Sequence, residues 1–143
     1  MTARNFALIA GIIYLAVGVL GFVPAAITPP PPDAPEVGIR AFHGYLLGLF
    51  PINVVHNLVH LAIGAWGIAA ARSMSGARGY SKGLAVIYGA LAVMGLIPGL
   101  NTMFGLVPIH SHDVWLHAAT AIVAAYFGWS ARAATRSDEA AAH

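Results

Sequence analysis

Pro51-Ile-Asn-Val-Val-His56-Asn57-Leu-Val-His60 recurs 57 residues later, without a gap, as Pro108-Ile-His-Ser-His-Asp113-Val-Trp-Leu-His117. At that offset Gly48 falls on Gly105, Leu49 on Leu106, Ile52 on Ile109 and His60 on His117. Each copy places imidazoles at the start of a segment that is otherwise apolar. Imidazole is costly to bury in lipid or in a dry core, so a pattern that buries it twice at one register sets the expected architecture.

Composition limits the class. Of 143 residues, 59% are hydrophobic and 8% charged, with mean hydropathy +0.76. A soluble globular domain carries roughly a quarter charged residues, so the chain reads as an integral membrane protein with the lipid bilayer as its first partner. The pI near 9.3 rests on seven basic residues against five acidic ones. The basic residues lie at segment ends and not on one face, which argues against nucleic acid as a partner. The absence of cysteine excludes disulfides, thiolate ligands and cysteine nucleophiles.

Outward from the two histidine stretches, hydropathy predicts four spans. Phe6 to Ile27, behind Arg4, is apolar over more than the ~20 residues a crossing needs, and longer than the apolar core of a signal peptide. Residues 28–37 hold four consecutive prolines and form an exposed outer linker. Gly38 to Phe50, with Arg40 and His43, reads as an interfacial helix or as the first turns of the second span. That span runs from about Pro51 to Ala71, and Arg72, Arg78 and Lys82 form a short basic loop. The third span is Gly83 to Pro98, and residues 99–112 connect it to a fourth that starts near Pro108 or Asp113 and ends at Trp129. A polar tail with Arg132, Arg136, Asp138 and Glu139 follows.

A second offset joins the remaining spans. Moved by 74 residues, Ile13 falls on Ile87, Tyr14 on Tyr88, Val19 on Val93, Gly21 on Gly95 and Pro24 on Pro98. The expectation is an all-α fold: a four-transmembrane-helix bundle made of two tandem two-helix repeats, about 5–72 and 79–132, in a single transmembrane domain covering 1–143. The repeats insert in the same sense, so their pseudo-twofold axis runs along the membrane normal, with the second and fourth spans facing each other. Gly11, Gly18, Gly64, Ala65, Gly67 and Gly89 provide small surfaces for helix approach. Arg4, Arg72, Arg78, Lys82, Arg132 and Arg136 fall on one side and only Arg40 on the other. The positive-inside rule then places both termini in the cytoplasm of a bacterial inner membrane and six histidines toward the outside.

His56 and His60 share a helix face at i, i+4 spacing, and so do Asp113 and His117. Three imidazoles and a carboxylate therefore converge as a candidate transition-metal site, copper or zinc, with His56, His60, Asp113 and His117 as ligands. Asn53, Asn57, His110 and His112 are candidate outer partners or an access path. Alternatively, His60 and His117 are axial ligands of a b-type haem. The rival without a cofactor is a polar network that only fixes helix packing, or a pH-responsive one. Enzyme readings are weaker. His56-Asn57-Leu-Val-His60 lacks the glutamate of a zinc-protease motif, and Ser111, His112 and Asp113 match a triad only by chance proximity. His43 and His143 stand alone and read as surface residues. An accessory role in a larger membrane complex, or a homo-oligomer, fits either reading.

The stretch Phe50-Pro-Ile-Asn53-Val-Val-His56-Asn57-Leu-Val-His60, with Asp113-Val-Trp-Leu-His117 later, resembles a family of small four-span bacterial and archaeal membrane proteins catalogued as a domain of unknown function. The resemblance covers about residues 5–130. It implies a four-helix membrane protein, groups Asn53, His56, Asn57, His60, Asp113 and His117, and implies no activity. The proline linker, His110 and His112 lie outside the family's pattern.

Overall fold

The computed structural model describes residues 1–130. Four helices dominate: α1 (Ala3–Leu20), α2 (Val54–Ala70), α3 (Met74–Gly95) and α4 (His112–Trp129). α1 packs chiefly on α2, and α3 on α4; α1 and α2 each also touch α3. Side-chain caps fix three helix starts: Thr2 accepts from the Asn5 amide, Asn53 from His56 and Ser73 from Gly76. α1 is long and apolar enough to cross a membrane; α2 is apolar but one residue shorter than α1.

Three boundaries differ from the expected spans. α1 runs only to Leu20 and not to Ile27, because the chain turns at Pro24–Ala26 and Ile27 starts a strand. α2 starts at Val54 and not at Pro51, because Asn53 takes the cap position and Pro51 belongs to a strand. α3 starts at Met74 and not at Gly83, so Arg78 and Lys82 sit on the helix and the basic loop shrinks to a turn at residues 71–73. The charges are tolerated because they find partners at the helix end. An Arg78 nitrogen donates to the Gly128 carbonyl at 3.3 Å, and the Lys82 ammonium lies 5.7 Å from the Trp129 ring centre. Arg132, Arg136, Asp138, Glu139 and His143 lie outside the described residues.

The larger correction concerns residues 38–50, which form neither an interfacial helix nor the start of α2. A three-stranded antiparallel sheet of β1 (Ile27–Thr28), β2 (Gly44–Leu46) and β3 (Phe50–Ile52) caps this end of the bundle, so the fold is not purely α. The β2–β3 turn needs positive φ at Leu47 and Gly48, and the connector before α4 repeats that conformation at Phe104 and Gly105. Phe42 and Gly99 also share positive φ. The three pairs are each 57 residues apart. The linker is tied down at its end, where the Gly38 amide donates to the Gly105 carbonyl at 2.9 Å.

Close helix approach depends on particular glycines. A Cβ at Gly11 would lie 2.8 Å from the Gly64 carbonyl, and one at Gly64 would lie 2.8 Å from the Gly11 carbonyl. Gly67 faces the Ala7 carbonyl at 2.9 Å. Ala65 instead faces outward, and at Gly89 a Cβ would make only an ordinary contact with Ala121. Tyr80, Leu84, Tyr88, Phe6, Ala7 and Phe127 pack at the centre. Large aliphatic side chains such as Ile12, Leu58, Val86 and Ile122 point away from all four helices.

Candidate functional site

The polar centre lies just inside the capped end of the bundle. Asn53 ends the extended segment: its Oδ1 accepts from the His56 amide, and its Nδ2 donates to the Ile39 and Leu106 carbonyls at 3.1 and 2.8 Å. This fixes the first turn of α2 and places His56 inward, where its Nδ1 lies 3.1 Å from the Pro51 carbonyl. A carbonyl can only accept, so Nδ1 carries the hydrogen and Nε2 keeps a lone pair. α4 presents Asp113 in its first turn, the end of a helix that favours a carboxylate, and His117 one turn further in.

Across the bundle, His56 Nδ1 and Asp113 Oδ2 are 3.9 Å apart. One nitrogen or oxygen from each of His56, Asp113 and His117 falls within 4.8 Å of the others, and all three residues are buried. His60 stands beside this trio and outside it, with its ring centre 4.5 Å from that of His56. The backbones of α2 and α4 do not pack directly, so the two spans meet through these side chains rather than as neighbouring helices. With α2 starting at Val54, His60 lies only about 9 Å along the helix at ~1.5 Å per residue, shallower than a start at Pro51 implies.

Buried polar atoms normally have partners. Here His60 Nδ1, His117 Nδ1 and Asp113 Oδ2 are buried without one. Two or three imidazoles and a carboxylate are a donor set that could hold a metal ion. Metal–nitrogen bonds of about 2.0–2.1 Å in a tetrahedron put ligand atoms roughly 3.4 Å apart. The trio is wider than that by up to about 1.4 Å (4.8 against 3.4 Å), so its side chains would have to draw together around an ion. The carbonyl bond at His56 Nδ1 matches the outer partner that a ligating imidazole usually has.

The expected outer partners bond elsewhere. Asn57 Nδ2 donates to the Gly21 carbonyl at 2.7 Å and so closes the C-terminus of α1. Asn53 joins the loops to α2. His110 is buried against Tyr45, its Nδ1 3.0 Å from Ser111 Oγ; burial and the neighbouring His43 hold its pKa below the usual imidazole range. His112 is exposed, with its ring edge toward Phe50. His43 Nδ1 pairs with the Ile52 carbonyl at 2.9 Å.

Two residues at the site were missed as such. Tyr14 packs on His60 with ring centres 5.4 Å apart, Tyr88 on His117 at 4.9 Å, and the two tyrosines meet at 5.6 Å. The signal was present, since Tyr14 falls on Tyr88 at the offset of 74 while His60 falls on His117 at 57. Other contacts obey the same two offsets. The Arg4 side chain donates to the Ala71 carbonyl as Arg78 does to Gly128, and Gly21 abuts Asn57 as Gly95 abuts Val114.

The chain belongs to the family described as Domain of unknown function (DUF4383), whose model matches residues 4–130. No curated protein and no solved structure matches the chain.

Proposed function

We propose that this member of the DUF4383 family is a four-span membrane protein whose His56, Asp113 and His117 bind one transition-metal ion, with His60 alongside. The observation that carries the reading is the convergence of three buried ligand atoms within 4.8 Å, two of their side chains having polar atoms without partners. Such atoms cost about 1–3 kcal/mol each when left unpaired, and a bound cation offsets that cost while balancing the carboxylate. Zinc and copper both suit imidazole with carboxylate. The ion is favoured over haem because Tyr14 and Tyr88 cover His60 and His117, where a macrocycle would have to lie.

The membrane reading rests on the inverted distribution of side chains. Alanine, glycine, tyrosine and imidazole make up much of the interior, joined by Phe6, Leu84, Val114 and Phe127, while every helix exposes large aliphatic side chains such as Ile12, Leu58, Val86 and Ile122. A helix of 17 to 22 residues spans about 26–33 Å, which matches a hydrocarbon core of roughly 30 Å. Arg4, Arg72, Arg78 and Lys82 gather at one end and Arg40 at the other, so the sheet-capped end faces outward. The paired contacts at offsets of 57 and 74 residues support two tandem hairpins.

Metal analysis and a visible spectrum of detergent-purified protein test the site. The expected result is about one zinc or copper per chain, reduced at least ten-fold in His117→Ala and in Asp113→Asn. Metal-free protein that takes up neither ion, yet keeps its helical circular dichroism, sinks the reading. The cluster would then be a packing network.

A further inference from the structure

We propose that the capped end of the bundle does not stand in water but is seated in the headgroup layer of the outer leaflet by two apolar turns, one at Leu47 and one at Phe104. The proposal rests on the membrane and tandem-hairpin readings above, and names the surface that the cap meets.

The two turns are equivalent at the offset of 57 residues. Leu47 precedes Gly48 in the β2–β3 turn with φ 53°, and Phe104 precedes Gly105 in the connector before α4 with φ 59°. A bulky side chain is rare in that left-handed region, where glycine or asparagine fits at less cost. Both side chains also point out of the molecule, Leu47 being 63% exposed and Phe104 80%. In water each turn would combine a strained backbone with an unburied apolar side chain. A lipid surface removes the second cost at both turns.

The pattern continues around the same end. Leu49 and Leu106 are exposed at the offset of 57, and Val23 and Ile97, at the offset of 74, are exposed just past the ends of α1 and α3. Trp115, in the first turn of α4, is exposed as well, and tryptophan is enriched at membrane interfaces. With the repeat axis along the membrane normal, equivalent residues lie at one depth on opposite sides of the bundle. A bilayer meets both sides at that depth, whereas a protein docked on one side would leave the other in water. The repetition therefore favours lipid as the occupant.

Charge fits the same surface. Residues 41–71 and 83–112 contain no lysine, arginine, aspartate or glutamate. Asp33, Glu36 and Arg40 are exposed in or just after the proline linker, and Asp113 is buried. The turns thus carry no formal charge into the interface, and they hold no basic residue that would select anionic headgroups.

The chain has no cysteine, so a nitroxide attached at Leu47→Cys or at Phe104→Cys reports a single site. The test compares collisions with oxygen, which concentrates in lipid, and with a water-soluble nickel chelate, for the full chain in phosphatidylcholine vesicles. Asp33→Cys in the linker is the aqueous reference; Ile12→Cys on α1 and Ile122→Cys on α4 are the lipid references. Leu49→Cys and Leu106→Cys, which lack positive φ, replace either turn variant that loses its helical circular dichroism. The expected oxygen-to-nickel ratio is at least five-fold above that of Asp33→Cys at both turns. The two turns should agree within two-fold, and phosphatidylglycerol should leave both unchanged. A ratio equal to that of Asp33→Cys at either turn overturns the proposal. So does shielding from both reagents, which would mean that protein covers the turns, or a ratio that rises only with anionic lipid. If Ile12→Cys and Ile122→Cys report lipid while the turns report water, only this inference fails. If they too match Asp33→Cys, the membrane reading fails with it.

Discussion

The α1–α2 and α3–α4 hairpins make the same contacts with different residues. In both, an arginine at the start of the first helix donates to a carbonyl at the end of the second, Arg4 to Ala71 and Arg78 to Gly128. In both, a tyrosine covers a histidine, and a glycine lets the first helix end against the first turns of the second. They diverge where the second helix begins. The first hairpin uses asparagine there: Asn53 caps α2, and Asn57 closes α1. The second has His110 and Val114 at these positions, and α4 starts from Ser111 at φ 60° without a side-chain cap bond. It carries Asp113 where the first has His56. The first hairpin therefore ties both asparagines to backbone while its His56 and His60 reach the centre. The other sends a carboxylate to the centre, so two hairpins with matching contacts leave the one acidic group of the polar cluster on the α4 side.

The strongest way to break the comparison is at the glycine contacts. Gly64→Val drives side-chain atoms into the Leu15 and Gly11 backbones, and should destabilise the α1–α2 hairpin by about 3 kcal/mol or more. Gly89→Ala, whose Cβ would meet only the Ala121 Cβ at 3.9 Å, should change the melting temperature in detergent by no more than a degree or two either way. If both are equally harmful, close packing is not what holds the first hairpin. A smaller effect is expected at the asparagine that the second hairpin lacks. Asn57→Leu leaves the Gly21 carbonyl without its donor and should cost about 1–3 kcal/mol in thermal or denaturant unfolding. A neutral outcome would mean the first hairpin closes α1 as the second closes α3, without a side-chain donor.

The smallest effect is electrostatic. Burial first, and His43 second, hold the His110 pKa in the folded state below the unfolded value of about 6.5. The stability tied to its neutral form is therefore fully present above pH ~6.5 and is lost as pH falls toward the folded pKa. His110→Gln should flatten the stability profile below pH 6.5 and leave it unchanged at pH 8, as read from melting temperatures across that range. An unchanged slope would assign the acid sensitivity of this end to other groups.

Much of the polar cluster was legible because i, i+4 spacing at the start of a helix leaves few places for a side chain to go. The grouping of His56 with His60, and of Asp113 with His117, needed only the helix period and the sequence offset of 57 residues. The tyrosines needed contacts across helices, which periodicity within one helix does not report. Asn53 and Asn57 looked like partners of the imidazoles, yet a helix start and a nearby helix end each present unpaired backbone groups that compete for an amide side chain. The sheet was hidden because residues 38–50 are short, apolar and glycine-containing, and their conformation depends on positive φ at Phe42, Leu47 and Gly48. The start of α3 was misplaced because Arg78 and Lys82 lower local hydropathy while remaining compatible with a helix whose charged side chains reach its end.

Asn53 has a consequence for motion. Its one amide group joins three backbone segments, at Ile39, His56 and Leu106, and it is fully buried. Those segments cannot open one at a time without leaving one of its atoms unpaired, so the outer cap and the first turn of α2 should form a single cooperative unit in amide hydrogen exchange. The His56 amide would then exchange at the rate of the whole cap and not at that of a fraying helix end.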